Sequence, residues 1–133
     1  MKKEYVNPKT LFNSSQYGFS QVVISDPGRH VFISGQTAWD EKQSLVGKND
    51  LGKQTQKSCE NLKLAIEAAG GNLSDIVMLR IYKVNYEQGD GQIISEALRS
   101  AFGAQNFPAS TWINVKGLAS PGFLIEIEAQ AII

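Results

Sequence analysis

The stretch "LIEIEAQAI", residues Leu124–Ile132, alternates apolar and polar side chains along most of its length. Successive side chains of a β-strand point to opposite faces of a sheet. One face of this predicted strand therefore carries four apolar residues: Ile125, Ile127, Ala129 and Ala131. The other face carries three polar residues: Glu126, Glu128 and Gln130. We expect the apolar face to pack on helices, and the polar face to meet water or another subunit.

Two amphipathic helices are predicted to cover the apolar face. From about Lys53 to Ala69, apolar residues recur every three or four positions, which is the period of one helix face: Cys59, Leu62, Ala65, Ile66 and Ala69. A second stripe runs from about Gln92 to Phe102 and consists of Ile94, Ala97, Leu98, Ala101 and Phe102. Gly70-Gly71 is a helix stop, because glycine adopts the left-handed conformation without steric cost.

Four further stretches are predicted strands: Gln21–Ser25, His30–Thr37, Ile76–Val84 and Ser110–Val115. The turn sequence of residues 26–29, "DPGR", predicts that the first two form an antiparallel hairpin. Residues 38–52 are predicted to be a loop, and a short extra strand is expected near Tyr5. The order β-β-α-β-α-β-β predicts an α+β fold with a mostly antiparallel sheet and two helices on one face.

The strand that contains Val31, Phe32 and Ile33 places apolar side chains on both faces of the sheet. A strand buried on both faces needs a cover on each side. The two predicted helices supply one cover, and the chain has no third helix for the other. We therefore predict a homo-oligomer in which sheets shield each other.

Length and charge narrow the class of protein. The chain has 133 residues, which predicts a single domain over 1–133. Thirteen basic and thirteen acidic residues give a formal net charge of +0, which disfavours nucleic acid and anionic membrane as partners. The sequence has one cysteine, and we find neither a signal peptide nor a stretch near the ~18 apolar residues of a membrane span. We expect a cytoplasmic protein.

Few residues can carry chemistry. The one histidine, His30, and the one cysteine, Cys59, lie far apart, so we predict neither a metal site nor a cofactor. Cys59 belongs to the helix stripe and is predicted to be core. Ser110 has no histidine available other than His30 to act as a base, which disfavours a serine hydrolase. Glu126 is either the solvated side of a strand or a general acid or base in a cleft. The segment "FPAST", Phe107–Thr111, starts the preceding strand, so both strands could line that cleft.

Four segments in order resemble the RidA family, also called YjgF/YER057c/UK114. They are "GFSQ" (18–21), "ISGQ" (33–36), "FPAST" (107–111) and "IEIEA" (125–129), and "AAGGNLSDIV" (68–77) is also in register. The resemblance implies a chorismate-mutase-like fold and a homotrimer with a central barrel and outer helices. It also implies a small-molecule site in each cleft between subunits. Family members with the reference activity hydrolyse enamines and imines derived from amino acids, releasing ammonia and a 2-keto acid.

The resemblance also implies roles for individual residues. Glu126 matches a glutamate that orients the attacking water, and Ser34 and Gly35 match a segment that contributes a backbone amide. Family members hold the substrate carboxylate with an arginine directly after the "PA", and here Ser110 occupies that position. Phe19 occupies the position of a tyrosine that helps to close the site.

These departures predict a changed substrate. Ser110 is interpreted as a binding or spacing residue, because a neutral hydroxyl lacks the charge and the planar fork of an arginine. Trp112 shares strand parity with Ser110, and would make the pocket smaller and more apolar or would pack in a core or interface. Arg29, Arg80 and Arg99 are possible replacement cations, and Arg29 and Arg99 are predicted to lie in a turn and a helix. Arg80 is the best candidate of the three, although a snorkelling or surface position in its strand is the favoured interpretation.

Two functions stay open on the sequence. The first is an enamine or imine deaminase, a hydrolase acting on a neutral or partly aromatic substrate other than the 2-aminoacrylate type. The second is a metabolite-binding trimer without turnover. Some relatives carry a ribonuclease label, but the net charge of +0 and the lack of a basic stripe disfavour a nuclease.

Overall fold

The alternating strand lies inside a mixed sheet. The computed structural model describes residues 2–133, which form six strands, two α-helices and two short 3-10 turns. The strands are β1 (Lys3–Val6), β2 (Val22–Ser25), β3 (His30–Gln36), β4 (Ile76–Val84), β5 (Ala109–Val115) and β6 (Ile125–Ile132). The helices are α1 (Leu51–Ala68) and α2 (Asp90–Phe102), and the 3-10 turns are Ser15–Tyr17 and Leu73–Asp75. The predicted order of elements is confirmed, including the short strand around Tyr5.

The main sheet has the strand order β3-β6-β4-β5. β6 is antiparallel to both β3 and β4, whereas β4 and β5 are parallel. The predicted alternation of β6 is confirmed, because its four apolar side chains are at most 4% exposed. They pack against buried side chains of both helices, Leu62, Ile66, Ile94 and Leu98 among them. The α+β fold, with both helices packed on one face of the sheet, is therefore as predicted.

The predicted β2–β3 hairpin is wrong. β2 pairs with β1, where Val22 lies opposite Val6, and β3 pairs with β6. The backbone N–H of Arg29 donates to the carbonyl of Ile133 at 2.7 Å, and the N–H of Ile133 donates back at 2.9 Å. The turn sequence therefore directs the chain away from β2 and onto the end of β6. Local turn chemistry predicted the bend correctly, but long-range pairing decides which strands meet.

Helix α1 starts two residues earlier than predicted. The side chain of Asp50 caps it by accepting from the backbone N–H of Lys53 at 3.0 Å. Leu51, assigned to the loop by sequence, is 9% exposed and belongs to the core. The predicted core position of Cys59 is confirmed, since it is 3% exposed, and burial raises the pKa of its thiol to about 12.

A buried ion pair ties helix α2 to the sheet. Lys83 of β4 is 7% exposed, and its Nζ lies 3.2 Å from Oδ2 of Asp90, the first residue of α2. The same carboxylate oxygen accepts from the backbone N–H of Glu87 at 2.8 Å. Together these contacts fix the loop between β4 and α2 and hold the start of the helix against the sheet.

We predict that Asp90→Asn destabilises the protein by about 3–5 kcal/mol, because it leaves the Lys83 ammonium buried without a counter-charge. Asparagine keeps an oxygen that can accept from the backbone N–H of Glu87, so the measured loss of stability reports the removal of the negative charge. Urea unfolding measures the change. Glu67→Gln, which removes the exposed pair between Lys63 and Glu67 at 3.9 Å, is the control and should cost less than about 1 kcal/mol. Equal effects of the two substitutions would contradict the structural role given to the buried pair.

Candidate functional site

Gly35 and Glu126 meet on the sheet face that the helices leave uncovered. The register between β3 and β6 shifts between Ile33 and Gln36, which makes a bulge at Ser34-Gly35. A Cβ atom added to Gly35 would overlap the carboxylate group of Glu126 and would lie 2.9 Å from its Cγ. Only glycine at residue 35 therefore allows the Glu126 side chain to lie across β3 in this position. The exposed Ser34 has its carbonyl occupied by the Gln36 side chain, which donates at 3.0 Å.

The two glutamates on this face of β6 have different surroundings. The phenol of Tyr82 donates a hydrogen bond to Glu128, and this bond raises the pKa of Tyr82. Glu126 lies opposite Tyr82 in the register and is half-buried. Within residues 2–133, no side chain donates a hydrogen bond to its carboxylate or forms an ion pair with it. Both carboxylate oxygens of Glu126 can therefore accept from a water molecule or a ligand, whereas one oxygen of Glu128 already accepts from Tyr82.

A cavity of about 500 Å³ adjoins Gly35 and Glu126, and we call it the Glu126 cavity. Its wall includes Trp39, whose ring packs edge-on against Phe123 with centroids 4.9 Å apart. Its charged lining residues are Asp40, Glu41, Glu126 and Lys57, so carboxylates outnumber cations. The loop before α1 thus contributes an aromatic ring and two carboxylates to the cavity, which its charged, irregular sequence did not reveal.

Ser110, Trp112 and Phe19 form a second group, which we call the Trp112 cluster. The indole N–H of Trp112 donates to the Ser110 hydroxyl oxygen at 3.1 Å, which confirms that the two side chains share one face of β5. The ring centroid of Phe19 lies 6.4 Å from that of Trp112. Phe19 is held there by the next residue, Ser20, whose hydroxyl donates to the carbonyl of Phe107 at 2.5 Å. The segments "GFSQ" and "FPAST" are therefore joined directly in the fold.

The Trp112 cluster and Glu126 lie on opposite faces of the sheet within one subunit. Ser110 lies opposite Leu79 on β4, whereas Glu126 lies opposite Tyr82 on the same strand. Positions three apart on a strand point to opposite faces. The hypothesis that the "FPAST" strand and the acidic strand line one cleft is therefore wrong within a subunit, because β4 lies between β5 and β6.

Arg80 does not supply the missing cation to Ser110 within a subunit. It lies opposite Thr111 on β5 and opposite Glu128 on β6, so it belongs to the face that carries the glutamates. A strand position for Arg80 was the favoured interpretation, and the register agrees with it.

Cysteine and histidine side chains do not form a cluster within residues 2–133. Residues 2–133 contain no group of three or more histidine, cysteine, aspartate or glutamate side chains arranged to hold a metal ion. His30 is exposed and stacks on Phe32, with ring centroids 6.4 Å apart. No helix within the same residues is long and apolar enough to cross a membrane.

The fold and these two groups define a small α+β chain with candidate binding residues on two separate faces of its sheet. Residues 13–133 match the family described as Endoribonuclease L-PSP. A solved structure of YyfB from Yersinia pestis, a protein of unknown function of the Rid protein family, is 38% identical with a TM-score of 0.95, and the match covers 100% of both chains. The chain belongs to this family, the RidA or YjgF family, whose structures share its α+β fold.

Two relatives illustrate the range of names in the family. The chain is 35% identical over 113 residues to the RutC family protein PH0854 of Pyrococcus horikoshii, covering 85% of each chain. It is 33% identical over 109 residues to the 2-iminobutanoate/2-iminopropanoate deaminase of Salmonella typhimurium, covering 80% of this chain and 82% of the relative.

The contact between Gly35 and Glu126 yields a direct test. We predict that Gly35→Ala folds but displaces the Glu126 side chain, because the added methyl group conflicts with a flexible side chain and not with backbone. The cost in unfolding free energy should be about 1 kcal/mol or less, because the methyl group meets a side chain that can move away. Crystal structures of the variant and of Gly117→Ala, where an added Cβ would meet no atom within 4 Å, provide the measurement and the control. An unmoved carboxylate in Gly35→Ala would contradict the prediction.

Proposed function

We propose that the protein hydrolyses an imine or enamine at a site shared by two subunits of a homotrimer. One subunit provides Glu126 and the Ser34-Gly35 bulge, and its neighbour provides Ser110, Trp112 and Phe19. Family membership and the deaminase among the relatives support the reaction class. The observation that carries the proposal is the Glu126 carboxylate, which lies against Gly35 and has no side-chain partner among residues 2–133, whereas Glu128 accepts from Tyr82.

The reaction suits a site of this kind because an iminium carbon is already electrophilic. Glu126 orients a water molecule and accepts its proton while the water oxygen bonds to the carbon and the C=N electron pair moves to nitrogen. Glu126 then returns that proton to the nitrogen of the resulting carbinolamine. The C–N bond breaks as the hydroxyl group gives up its proton and its oxygen forms the C=O bond, releasing ammonia and a carbonyl product. The site needs no nucleophilic side chain and no metal. The Gly35 amide and the Ser110 hydroxyl provide hydrogen bonds that hold the substrate.

Two features favour an assembly of more than one chain, and a trimer is the form that the family resemblance implies. The Glu126 and Trp112 groups of one chain lie on different faces of the sheet. Each group is therefore half of the proposed site, and a second copy of the chain must supply the other half. Phe32 is 73% exposed on the glutamate-bearing face, where it lies opposite Gln130. Packing of sheet against sheet around a central barrel would bury this ring and bring the glutamate face of one subunit to the next.

The substrate follows from Ser110. A carboxylate bound at residue 110 would lack a charge-assisted partner, and the Ser110 hydroxyl already accepts from the Trp112 indole. The indole also makes this end of the site aromatic. We therefore propose a substrate other than small amino-acid-derived 2-aminoacrylate, with a neutral or aromatic group beside Trp112. The serine in place of the family's arginine also favours, as a second candidate, a trimer that binds a metabolite without turning it over.

Turnover and substrate choice are tested together with 2-aminoacrylate generated in situ. We predict that the native chain is slow on this compound, and that Ser110→Arg raises kcat/KM by about 10- to 150-fold. This range corresponds to the ~1.5–3 kcal/mol of one charge-assisted hydrogen bond. Ser110→Gln, which adds length without charge, is the matched control and should give no rise.

Glu126→Gln in the Ser110→Arg background should return the rate to that of the uncatalysed reaction. A native rate equal to that of arginine-bearing relatives would contradict the proposed substrate shift. An unchanged rate in the Glu126→Gln protein would contradict hydrolysis at this site and leave metabolite binding as the better account.

The assembly has its own test. We predict that Phe32→Glu converts the trimer to monomers, because a carboxylate at the centre of an apolar contact would be buried without a partner. Light scattering coupled to gel filtration measures the mass. Leu11→Glu, at a 50% exposed apolar residue of the N-terminal segment, is the control and should remain trimeric. A native protein that is monomeric at micromolar concentration would overturn the shared site.

A further inference from the structure

A groove of about 850 Å³ runs along helix α2 and ends at the Trp112 cluster. Its floor is the α2 face with Gln92, Ser95 and Arg99, and the 3-10 turn Ser15–Tyr17 borders it. Tyr17 and Tyr86, which are 45% and 44% exposed, line it together with Trp112. Because Trp112 also binds the Ser110 hydroxyl, the groove is continuous with the half-site described above.

Arg99 gives the groove a positive charge. Its guanidinium donates through Nη1 to the backbone carbonyl of Gln16, which holds the group at the border between α2 and the 3-10 turn. Within residues 2–133, no carboxylate lies within ion-pair distance of Arg99, and the lining of the groove contains no acidic side chain. The remaining guanidinium N–H groups are therefore free to donate to an anion. The Glu126 cavity has the opposite balance of charge.

Ser95 adds a second polar feature to the same face. It lies four residues before Arg99 on α2, so the two side chains are neighbours on the helix. Ser95 is 2% exposed, and its hydroxyl has no hydrogen-bond partner. Buried hydroxyl groups in folded proteins are normally paired. A ligand or water molecule in the groove would provide the polar atom that this hydroxyl lacks.

The length of the groove along α2 indicates the size of ligand that it suits. A Cβ atom added to Gly91 would lie 3.6 Å from the Trp112 ring, so the indole lies near the start of α2. Eight residues separate Gly91 from Arg99, which corresponds to about 12 Å along the helix axis. An aromatic ring with a carboxylate-bearing arm is better suited than a three- or four-carbon acid to contact the indole and the guanidinium at once, because the arm adds length along this axis.

We propose that this groove binds the distal carboxylate and planar apolar arm of the substrate. The carboxylate pairs with Arg99, and the arm packs against Trp112 and the two tyrosines. The substrate class is then an imine or enamine whose carboxylate is separated from the reacting carbon by an aromatic or similarly long spacer. This inference rests on the proposed function, and moves the anion-binding residue from position 110 to position 99.

Calorimetric titration of the full chain with three probes tests the groove: 3-phenylpropanoate, its uncharged amide and 2-oxobutanoate. We expect 3-phenylpropanoate to bind at least tenfold more tightly than the other two. Arg99→Gln should weaken its binding at least tenfold and leave the amide within twofold. Arg29→Gln, in the exposed turn before β3, is the matched control and should leave all three affinities within twofold.

Two outcomes overturn the groove: equal affinity for the charged and uncharged aromatic probes, or an equal loss of both in Arg99→Gln. The second outcome is what a purely structural anchor for the Gln16 carbonyl would give. Arg99-dependent binding without Glu126-dependent imine hydrolysis would retain the groove and refute the proposed function. Glu126-dependent hydrolysis with a KM that Arg99→Gln does not change would refute the groove as the substrate site and retain the proposed function.

Discussion

The alternation of side chains along β6 is the constraint on which the remaining structure depends. β6 lies between β3 and β4, so its isoleucine and alanine face is committed to the helices and its glutamate face to the opposite side. A slip of one residue would exchange the two faces and place carboxylates in the core. The same parity applies through the register to β4 and β5. It places Ser110 and Trp112 with the core face and Glu126 away from it.

This parity separates the Trp112 cluster from Glu126 within one chain. Within one sheet, Ser110 and Glu126 stay on opposite faces. A second subunit can bring them together, if the glutamate face of one copy meets the β5 edge of the next. The close contact between Gly35 and Glu126 fixes a local detail of this face. Because residue 35 has no side chain, the carboxylate can lie across β3. Charged side chains are also unevenly distributed. Carboxylates predominate around Glu126, whereas the groove beyond Trp112 contains the cation Arg99.

Much of the fold follows from the sequence alone, because periodicity reports which side of each element is buried. The stripes on α1 and α2 and the alternation on β6 predicted the layers correctly. The β2–β3 hairpin failed because a turn signal specifies a bend and not a partner. The pairing of Arg29 with Ile133, more than 100 residues away, decides the partner. The early start of α1 also depends on a cap and on the burial of Leu51, which the loop-like composition of residues 38–52 concealed.

The candidate site was less accessible to sequence. The individual residues Ser110, Trp112, Phe19, Gly35 and Glu126 could be selected by motif, and the pairing of Ser110 with Trp112 by parity. The separation of these residues between two faces required the strand order, since β4 lies between strands that are consecutive in sequence. The groove on α2 gave no signal, because Arg99 and Tyr17 are far apart in the chain and unremarkable by themselves.

The most direct test of this account is a crystal structure of the assembled protein, and the quantity to measure is the placement of Ser110 of one subunit relative to Glu126 of the next. The account predicts that both line one cavity small enough for a single small molecule to touch them. An assembly in which these residues face separate solvent regions, or a structure without a subunit contact at this face, would contradict it.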